Sequence, residues 1–170
     1  VCEKVSADVG AVQAVNFNCP GQIVIAGTMA GVEKAAALLD EAGARKSVIL
    51  PVSAPFHSTL MQPAAEKLAK ELDKIEIRDA KIPVVANVSA EILTKAADIK
   101  ESLVKQAASP VKWEDCVLKM KEFGADTFVE AGPGKTLCGF NKRIDRKLTS
   151  MNVENLETLQ KTLDYFKEVR

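Results

Sequence analysis

The sequence has little of what most metal and nucleic-acid sites require. It contains a single histidine, and its four cysteines are scattered without a C-x-x-C pair. This argues against a multi-histidine metal centre, a zinc ribbon and a dithiol redox centre. Basic and acidic residues balance at 23 each, which argues against a general nucleic-acid binder, because such proteins need excess positive charge to displace counterions from phosphates. No apolar run reaches the roughly 18 residues of a membrane span.

The remaining composition is that of a globular protein. With 170 residues, of which 47% are hydrophobic and 27% charged, the chain can bury a sizeable core without disulfide bonds. We therefore expect reduced, mostly buried cysteines and a cytoplasmic location. The sequence starts at Val1 with no secretory signal pattern, and we expect this start to be a cut into a longer protein.

The first part of the chain predicts a small strand-rich unit between residues 12 and 52. Strands are predicted at 12–18 and 23–26, on either side of the turn "CPGQ", and a helix at 29–42 precedes a strand at 47–52. This order matches most of a ferredoxin-like split βαβ unit whose opening strand and helix are missing.

The remainder alternates helices with short strands, which favours an α/β layer architecture. The continuous apolar run at 82–86 predicts a strand inside a parallel sheet that is covered on both faces. Asn155 is expected to cap a final amphipathic helix. Further helices are predicted at 60–72, 98–107, 114–123 and 136–146, and further strands at 127–130 and 149–153.

His57 is the most promising chemical group. It lies in "PVSAPFHSTLM", after a predicted strand and before a helix that Ser58 is expected to cap. Open α/β sheets bind ligands at the carboxyl ends of their strands. A neutral imidazole can take a proton from a hydroxyl group near pH 7 and return it to a leaving group. A surface or helix-capping histidine remains an equally good interpretation.

Two other motifs also have structural alternatives. The segment "EAGPGKTL" has two glycines that would let backbone approach a phosphate, but it lacks P-loop spacing, and a tight turn is the simpler interpretation. A basic cluster forms either a solvated helix face or a site for an acidic partner; it comprises Lys142, Arg143, Arg146 and Lys147. No G-x-S-x-G elbow is present, so the sequence offers no nucleophile for His57.

Several motifs, taken together, resemble the malonyl-CoA:acyl carrier protein transacylases of bacterial fatty acid synthesis. They are "VNFNCPGQIVIAG", "LPVSAPFHSTLMQPAAEKL", "IPVVANV", "SPVKW" and "VEAGPGKTL", and the resemblance covers essentially the whole chain. It implies the C-terminal half of such an enzyme. Residues 1–52 would be the remainder of a small ferredoxin-like subdomain, and residues 53–170 the C-terminal part of a large α/β-hydrolase-like acyltransferase domain.

The resemblance also implies a mechanism. The family transfers the malonyl group of malonyl-CoA to the phosphopantetheine thiol of acyl carrier protein by a ping-pong route through a serine, with no metal or tightly bound cofactor. His57 corresponds to the base that activates this serine, and the backbone carbonyl of Gln106 to the acceptor that orients the histidine. Asn18 and Asn87 match positions that line the pocket.

Further residues are assigned by the same resemblance. Lys142 and Arg143 match a basic pair that meets the acidic carrier protein, with help from Lys46 or Arg45. Phe56 resembles the bulky aromatic residue of malonyl-selective acyltransferase domains in polyketide synthases. A ring beside the α-carbon of the acyl group would disfavour a methyl branch, so we expect malonyl to be preferred over methylmalonyl.

The catalytic serine, the oxyanion glutamine and the arginine that binds the malonyl carboxylate lie upstream in the family. We therefore expect the 170-residue chain alone to be inactive and its parent protein to be the enzyme. Three alternatives remain open. The chain could be part of an acyltransferase domain from a polyketide or multifunctional fatty acid synthase, a non-catalytic module that docks carrier protein, or one half of an enzyme completed by a second polypeptide.

Overall fold

The computed structural model describes residues 1–169, and contacts between Cα atoms divide it into two compact units. The first unit comprises Val1–Asn18 and Gln22–Trp113, and the second comprises Cys19–Gly21 and the chain from Glu114 onward. Both units combine helices with strands, so the predicted α/β class is confirmed. Within the described range, no helix is long and apolar enough to cross a membrane. The domain boundary expected between residues 52 and 53 stays a prediction.

The first unit opens with two helices and a two-stranded sheet around a small core. These elements are α1 (Cys2–Asp8), β1 (Val12–Cys19), β2 (Gln22–Gly27) and α2 (Met29–Glu41). Val5, Val12 and Ala35 form the buried centre of this core. The backbone packs so closely that a Cβ atom on Gly27 would lie 2.0 Å from the carbonyl oxygen of Ala11. The predicted strand, turn, strand and helix between residues 12 and 42 are confirmed.

Two expectations for this region are wrong. A helix, α1, precedes β1, where the sequence predicted no element; its seven residues offer too few turns for a clear helical period in the sequence. The segment 47–52 forms no strand. Its β-branched residues give strand propensity, but no strand in residues 1–169 pairs with it, and a strand needs a neighbour to satisfy its backbone groups. Val48, Ile49, Leu50 and Val52 are consequently exposed.

The rest of the first unit consists of a helix pair and a short hairpin. A 3₁₀ turn leads into the first helix, and the two helices pack on each other. The elements are the turn (Thr59–Met61), α3 (Gln62–Leu72), β3 (Val84–Val85), β4 (Ile92–Leu93) and α4 (Ala96–Ala107).

The expectation of a buried parallel strand at 82–86 is wrong. β3 pairs antiparallel with β4, and Ile82 is 78% exposed. An apolar run shows strand propensity, but the direction of its partner depends on the following turn, which here reverses the chain before Ile92.

The second unit is built around a parallel strand pair with a helical crossover. β5 and β6 pair in parallel from Thr127↔Thr149 to Ala131↔Val153, and α6 connects them while α7 packs on β6. The elements are α5 (Trp113–Glu122), β5 (Thr127–Ala131), α6 (Thr136–Ile144), β6 (Thr149–Val153) and α7 (Leu156–Val169). The predicted helices and strands of this region are confirmed. So is the cap of α7, because Asn155 Oδ1 accepts a hydrogen bond from Thr158 N–H at 3.0 Å.

Candidate functional site

His57 lies in a tight turn that precedes α3. Its φ of 62° is in the left-handed region, which is uncommon for a residue other than glycine. The turn is closed by Ser58, whose hydroxyl donates to the carbonyl oxygen of Pro55 at 2.7 Å and whose side chain is buried. Ser58 therefore does not cap the following helix with its side chain, and that expectation is wrong. The turn holds the histidine in a defined position before the helix begins.

The His57 ring contacts the backbone of Gln106. Nδ1 lies 3.0 Å from the carbonyl oxygen of Gln106, which can only accept a hydrogen bond, so Nδ1 carries the proton in the neutral ring. Nε2 is then left with a lone pair that can accept a proton. Gln106 is in the last turn of α4, where carbonyl groups have no partner within the helix and are free to accept other hydrogen bonds.

The side chain of Gln106 braces the same turn. Its Nε2 donates to the carbonyl oxygen of Ser109 at 2.9 Å and lies 3.4 Å from that of Pro110. Its Oε1 is buried and has no hydrogen-bond partner within residues 1–169. The same Nε2 also lies 3.5 Å from His57 Nδ1, a longer contact than the 3.0 Å of the carbonyl. The glutamine thus holds the end of α4 with its side chain, and its main-chain carbonyl makes the shorter contact with the histidine.

The other residues predicted to line the pocket belong to the same unit as His57. Asn87 follows β3, and its carbonyl oxygen accepts a hydrogen bond from Lys112 N–H at 2.8 Å. Asn18 is half-buried near the end of β1. Phe56 directly precedes the histidine and is 50% exposed.

The glycine-rich motif is a tight turn whose amides are already occupied by carboxylates. Gly132 and Gly134 adopt φ values of 149° and 81°. Glu130 accepts hydrogen bonds from Leu137 N–H at 3.1 Å and Cys138 N–H at 2.9 Å. Glu154 accepts one from Gly134 N–H at 2.8 Å. The N-terminus of α6 therefore has its own anion, and the tight turn is the better interpretation of this motif than a phosphate site.

Glu130 and Cys138 influence each other's ionisation. Burial opposes ionisation of Glu130, but the N–H groups of Cys138 and Leu137 outweigh it and hold the pKa of this carboxyl below its ordinary value. Burial, together with the hydrogen bond to Glu130 and the charge of that carboxylate, raises the pKa of the Cys138 thiol to about 11. The thiol is therefore protonated at neutral pH and is a poor candidate for a nucleophile.

The basic cluster borders an open surface groove on the second unit. Lys142 and Arg143 are exposed in the last turn of α6. A depression of about 460 Å³ is lined by Pro20, Gly139, Lys142, Arg143 and Arg146. A second depression, of about 410 Å³, shares Gly139, Lys142 and Arg146 and adds Lys135. We call this surface, defined by Lys135, Lys142, Arg143 and Arg146, the basic groove.

Lys46 and Arg45 are exposed residues of the first unit, in the segment between α2 and α3. Their side chains are therefore accessible to solvent. Arg143, on the second unit, donates a hydrogen bond from its guanidinium to the carbonyl oxygen of Pro20 at 2.8 Å.

Sequence reasoning missed two side chains that shape these sites. Glu130 was recognised only as part of a motif, because it caps α6 from the preceding strand rather than from the usual N-cap position. Gln13, on β1, accepts hydrogen bonds from the backbone and the hydroxyl of Thr59. No local pattern marks it, because the contact joins residues 46 positions apart.

Residues 2–164 match the family model of the acyl transferase domain, and the chain belongs to this family. Its sequence is 48% identical over 168 residues to malonyl CoA-acyl carrier protein transacylase of Bacillus subtilis (strain 168), covering 99% of this chain and 53% of that relative. It is also similar to the crystal structure of malonyl CoA-acyl carrier protein transacylase from Clostridium perfringens. That match has a TM-score of 0.93 and 46% identity over 99% of this chain and 52% of the other.

A further similar structure contains a type II PKS acyl-carrier protein in complex with its malonyl-transacylase. This match has a TM-score of 0.92 and 40% identity, and covers 96% of this chain and 53% of the other. The chain spans about half the length of the curated relatives it matches. The resemblance to malonyl-CoA:acyl carrier protein transacylases inferred from the sequence motifs is confirmed.

Replacing Glu130 by glutamine tests the cap of α6. The lowered pKa of Glu130 means that the carboxylate stabilises the fold above its unfolded-state pKa, and that this stabilisation is lost as the pH falls through the folded-state value. We expect Glu130→Gln to lower the free energy of unfolding at pH 7 by about 1 kcal/mol, as for a lost N-cap. The difference from wild type should shrink toward pH 3.

Urea denaturation at several pH values measures this effect. Glu157→Gln is the control, because Glu157 is an exposed helix residue that forms an ion pair with Lys161, and exposed pairs of this kind contribute little to stability. Equal destabilisation by Glu130→Gln at pH 7 and pH 3 would contradict the ionised cap.

Proposed function

We propose that the protein containing this chain transfers a malonyl group from malonyl-CoA to the phosphopantetheine thiol of an acyl carrier protein. The observation that carries the proposal is the 3.0 Å contact between His57 Nδ1 and the carbonyl oxygen of Gln106. It supports a role for Nε2 as a general base, because it leaves this nitrogen unprotonated in the neutral ring. The relatives' names supply the substrates.

In the proposed mechanism, Nε2 of His57 accepts the hydroxyl proton of a serine that lies outside these 170 residues. The serine oxygen attacks the thioester carbonyl, the carbon–sulfur bond breaks, and the imidazolium returns the proton to the departing CoA thiolate. In the second half, Nε2 takes the proton of the phosphopantetheine thiol, the thiolate attacks the malonyl-serine ester, and the proton returns to the serine oxygen. Each half begins and ends with neutral His57, so a backbone carbonyl suffices as its orienting partner.

The remaining site assignments are part of the same proposal. Asn18 and Asn87 line the acyl pocket. The reaction needs no metal or tightly bound cofactor and takes place in the cytoplasm. Residues 1–52 form the remainder of a ferredoxin-like subdomain and residues 53–170 the C-terminal part of an α/β-hydrolase-like domain. Support comes from the order of the motifs along the sequence and from the similarity to transacylase structures over 96–99% of the chain.

His57→Ala tests the proposed base. In a protein of the relatives' full length that contains this chain, we expect the rate of radiolabelled malonyl transfer to fall by roughly 10²–10⁴-fold, the usual contribution of general acid–base catalysis. The melting temperature of the variant serves as the control for its fold. The 170-residue chain alone is expected to show no transfer. Transfer at the wild-type rate by His57→Ala, or turnover by the 170-residue chain, would contradict the mechanism.

We propose that the basic groove binds the acidic surface of the carrier protein through Lys142 and Arg143, with Lys46 or Arg45 assisting. Lys142 and Arg146 form no ion pair with any residue in the range 1–169, so their charges are available to a partner. A carrier protein with surface carboxylates would be attracted electrostatically to the basic groove as it approaches, and this attraction weakens as salt is added.

Charge reversal in the basic groove tests this proposal. We expect Lys142→Glu to weaken carrier-protein binding by about fivefold, on the order of 1 kcal/mol for an exposed charge, and Lys142→Glu with Arg143→Glu to weaken it further. Lys34→Glu is the control, because it makes the same charge change on an exposed face of α2. Titrations with the carrier protein of fatty acid synthesis and with that of a polyketide synthase, each at low and at high salt, also test to which of these two systems the parent protein belongs. Equal losses for Lys142→Glu and Lys34→Glu would exclude the groove.

We also propose that Phe56 selects malonyl over methylmalonyl. Its ring is half exposed and directly precedes His57, which places a bulky apolar group next to the proposed base. In the full-length protein, Phe56→Ser should lower the ratio of kcat/KM for malonyl-CoA to that for methylmalonyl-CoA by roughly 10–200-fold, the usual range for one methyl group in a pocket. Phe56→Tyr keeps the ring and should leave the ratio near the wild-type value. An unchanged ratio in Phe56→Ser would refute this role.

A further inference from the structure

We propose that strand β1 sets the distance between the His57 ring and the Gln106 carbonyl, and that Gln13 is a positioning residue of the site. The strand holds the segment on each side of the contact through a separate set of hydrogen bonds. The inference rests on the proposed function only for its catalytic consequence, because the geometry itself can be tested without activity.

The first set of hydrogen bonds joins β1 to the histidine segment. Gln13 Oε1 accepts from Thr59 N–H at 2.7 Å and from the Thr59 hydroxyl at 3.0 Å. Thr59 is two residues from His57 and opens the 3₁₀ turn. The two hydrogen bonds together hold the Gln13 carbonyl group against Thr59. The end of the strained histidine turn is therefore attached to the strand.

The second set joins β1 to the segment that follows Gln106. Phe17 N–H donates to the carbonyl oxygen of Val111 at 2.9 Å, and Val111 N–H donates to that of Val15 at 2.8 Å. These bonds form a parallel bridge between Asn16 and Val111. The side-chain amide of Gln106 then links the end of α4 to Ser109 and Pro110, immediately before Val111.

A five-residue stretch of one strand, from Gln13 to Phe17, thus holds the segments beside both partners of a contact that joins positions 49 residues apart. A β-strand is nearly inextensible at about 3.3 Å per residue, so the two attachment points keep a constant spacing. The bonds to Val111 use main-chain atoms and do not depend on side-chain identity. The bonds to Thr59 depend entirely on the Gln13 carbonyl, which makes this residue the testable one.

The tautomer of His57 reports the geometry directly. Because the chain has one histidine, its ring ¹⁵N resonances are unambiguous. At alkaline pH, where the ring is neutral, the wild-type 170-residue chain should show a protonated Nδ1 and an unprotonated Nε2. In Gln13→Met, which removes the acceptor at similar volume, the ring should leave Gln106 and populate the Nε2–H tautomer as well.

Two variants and a control make the measurement specific. Gln13→Glu keeps an oxygen acceptor and should retain the wild-type tautomer. Gln13→Asn keeps the amide but shortens its reach, and should shift the tautomer in the same direction as Gln13→Met. Gln62→Met makes the same exchange at an exposed residue of α3 and should have no effect. A wild-type tautomer in Gln13→Met or, should that variant not fold, in Gln13→Asn would overturn the proposal.

Kinetics of the full-length protein separate this inference from the proposed function. We expect Gln13→Met to lower kcat for malonyl transfer by roughly 10–100-fold with little change in KM, as for a displaced catalytic group, and Gln13→Glu to restore most of it. A tautomer shift in Gln13→Met together with full activity of His57→Ala would leave the positioning role intact and refute the proposed function. An unchanged tautomer in Gln13→Met together with an inactive His57→Ala would refute the positioning role of Gln13 and leave the proposed function intact.

Discussion

The hydrogen bond between His57 Nδ1 and the Gln106 carbonyl joins segments that are 49 residues apart in the sequence. It determines which ring nitrogen has the lone pair, and therefore the direction in which the ring can accept a proton. Much of the first unit serves to place these two atoms. The left-handed turn closed by Ser58 presents the ring, the last turn of α4 presents the carbonyl, and β1 holds the segments beside both.

A backbone carbonyl differs from a carboxylate as the partner of a histidine ring. It carries no full charge, so it fixes the orientation of the ring without adding a buried ion that would itself need compensation. Its position depends on the backbone rather than on a side-chain rotamer. Placing the carbonyl oxygen therefore requires restraints on the backbone around Gln106. The glutamine side chain, the following turn and the bridge at Val111 all restrain the same short stretch.

The fold was predictable from the sequence where the signal is local. The parallel strands β5 and β6 and the helix α6 between them were correct, because hydrophobic periodicity and glycine positions mark their bounds. The predictions of a strand at 47–52 and of a parallel strand at 82–86 were wrong, because strand propensity does not show which other segment a strand will pair with. For the site, His57 was singled out by its position between a predicted strand and a predicted helix, and Gln106 by family resemblance. Gln13 has no local signal, because its proposed role depends on a contact with Thr59 that only the tertiary structure creates.

The position of the basic pair at the end of α6 has a consequence for the helix itself. Lys142 and Arg143 occupy its last turn, where the partial negative charge of the helix macrodipole attracts cations, while the Glu130 carboxylate meets the positive end. The two ends of one short helix are thus neutralised by opposite charges. The cations that we propose to face the carrier protein also stabilise the element that carries them, so under that proposal selection for fold stability and selection for binding act on these positions in the same direction.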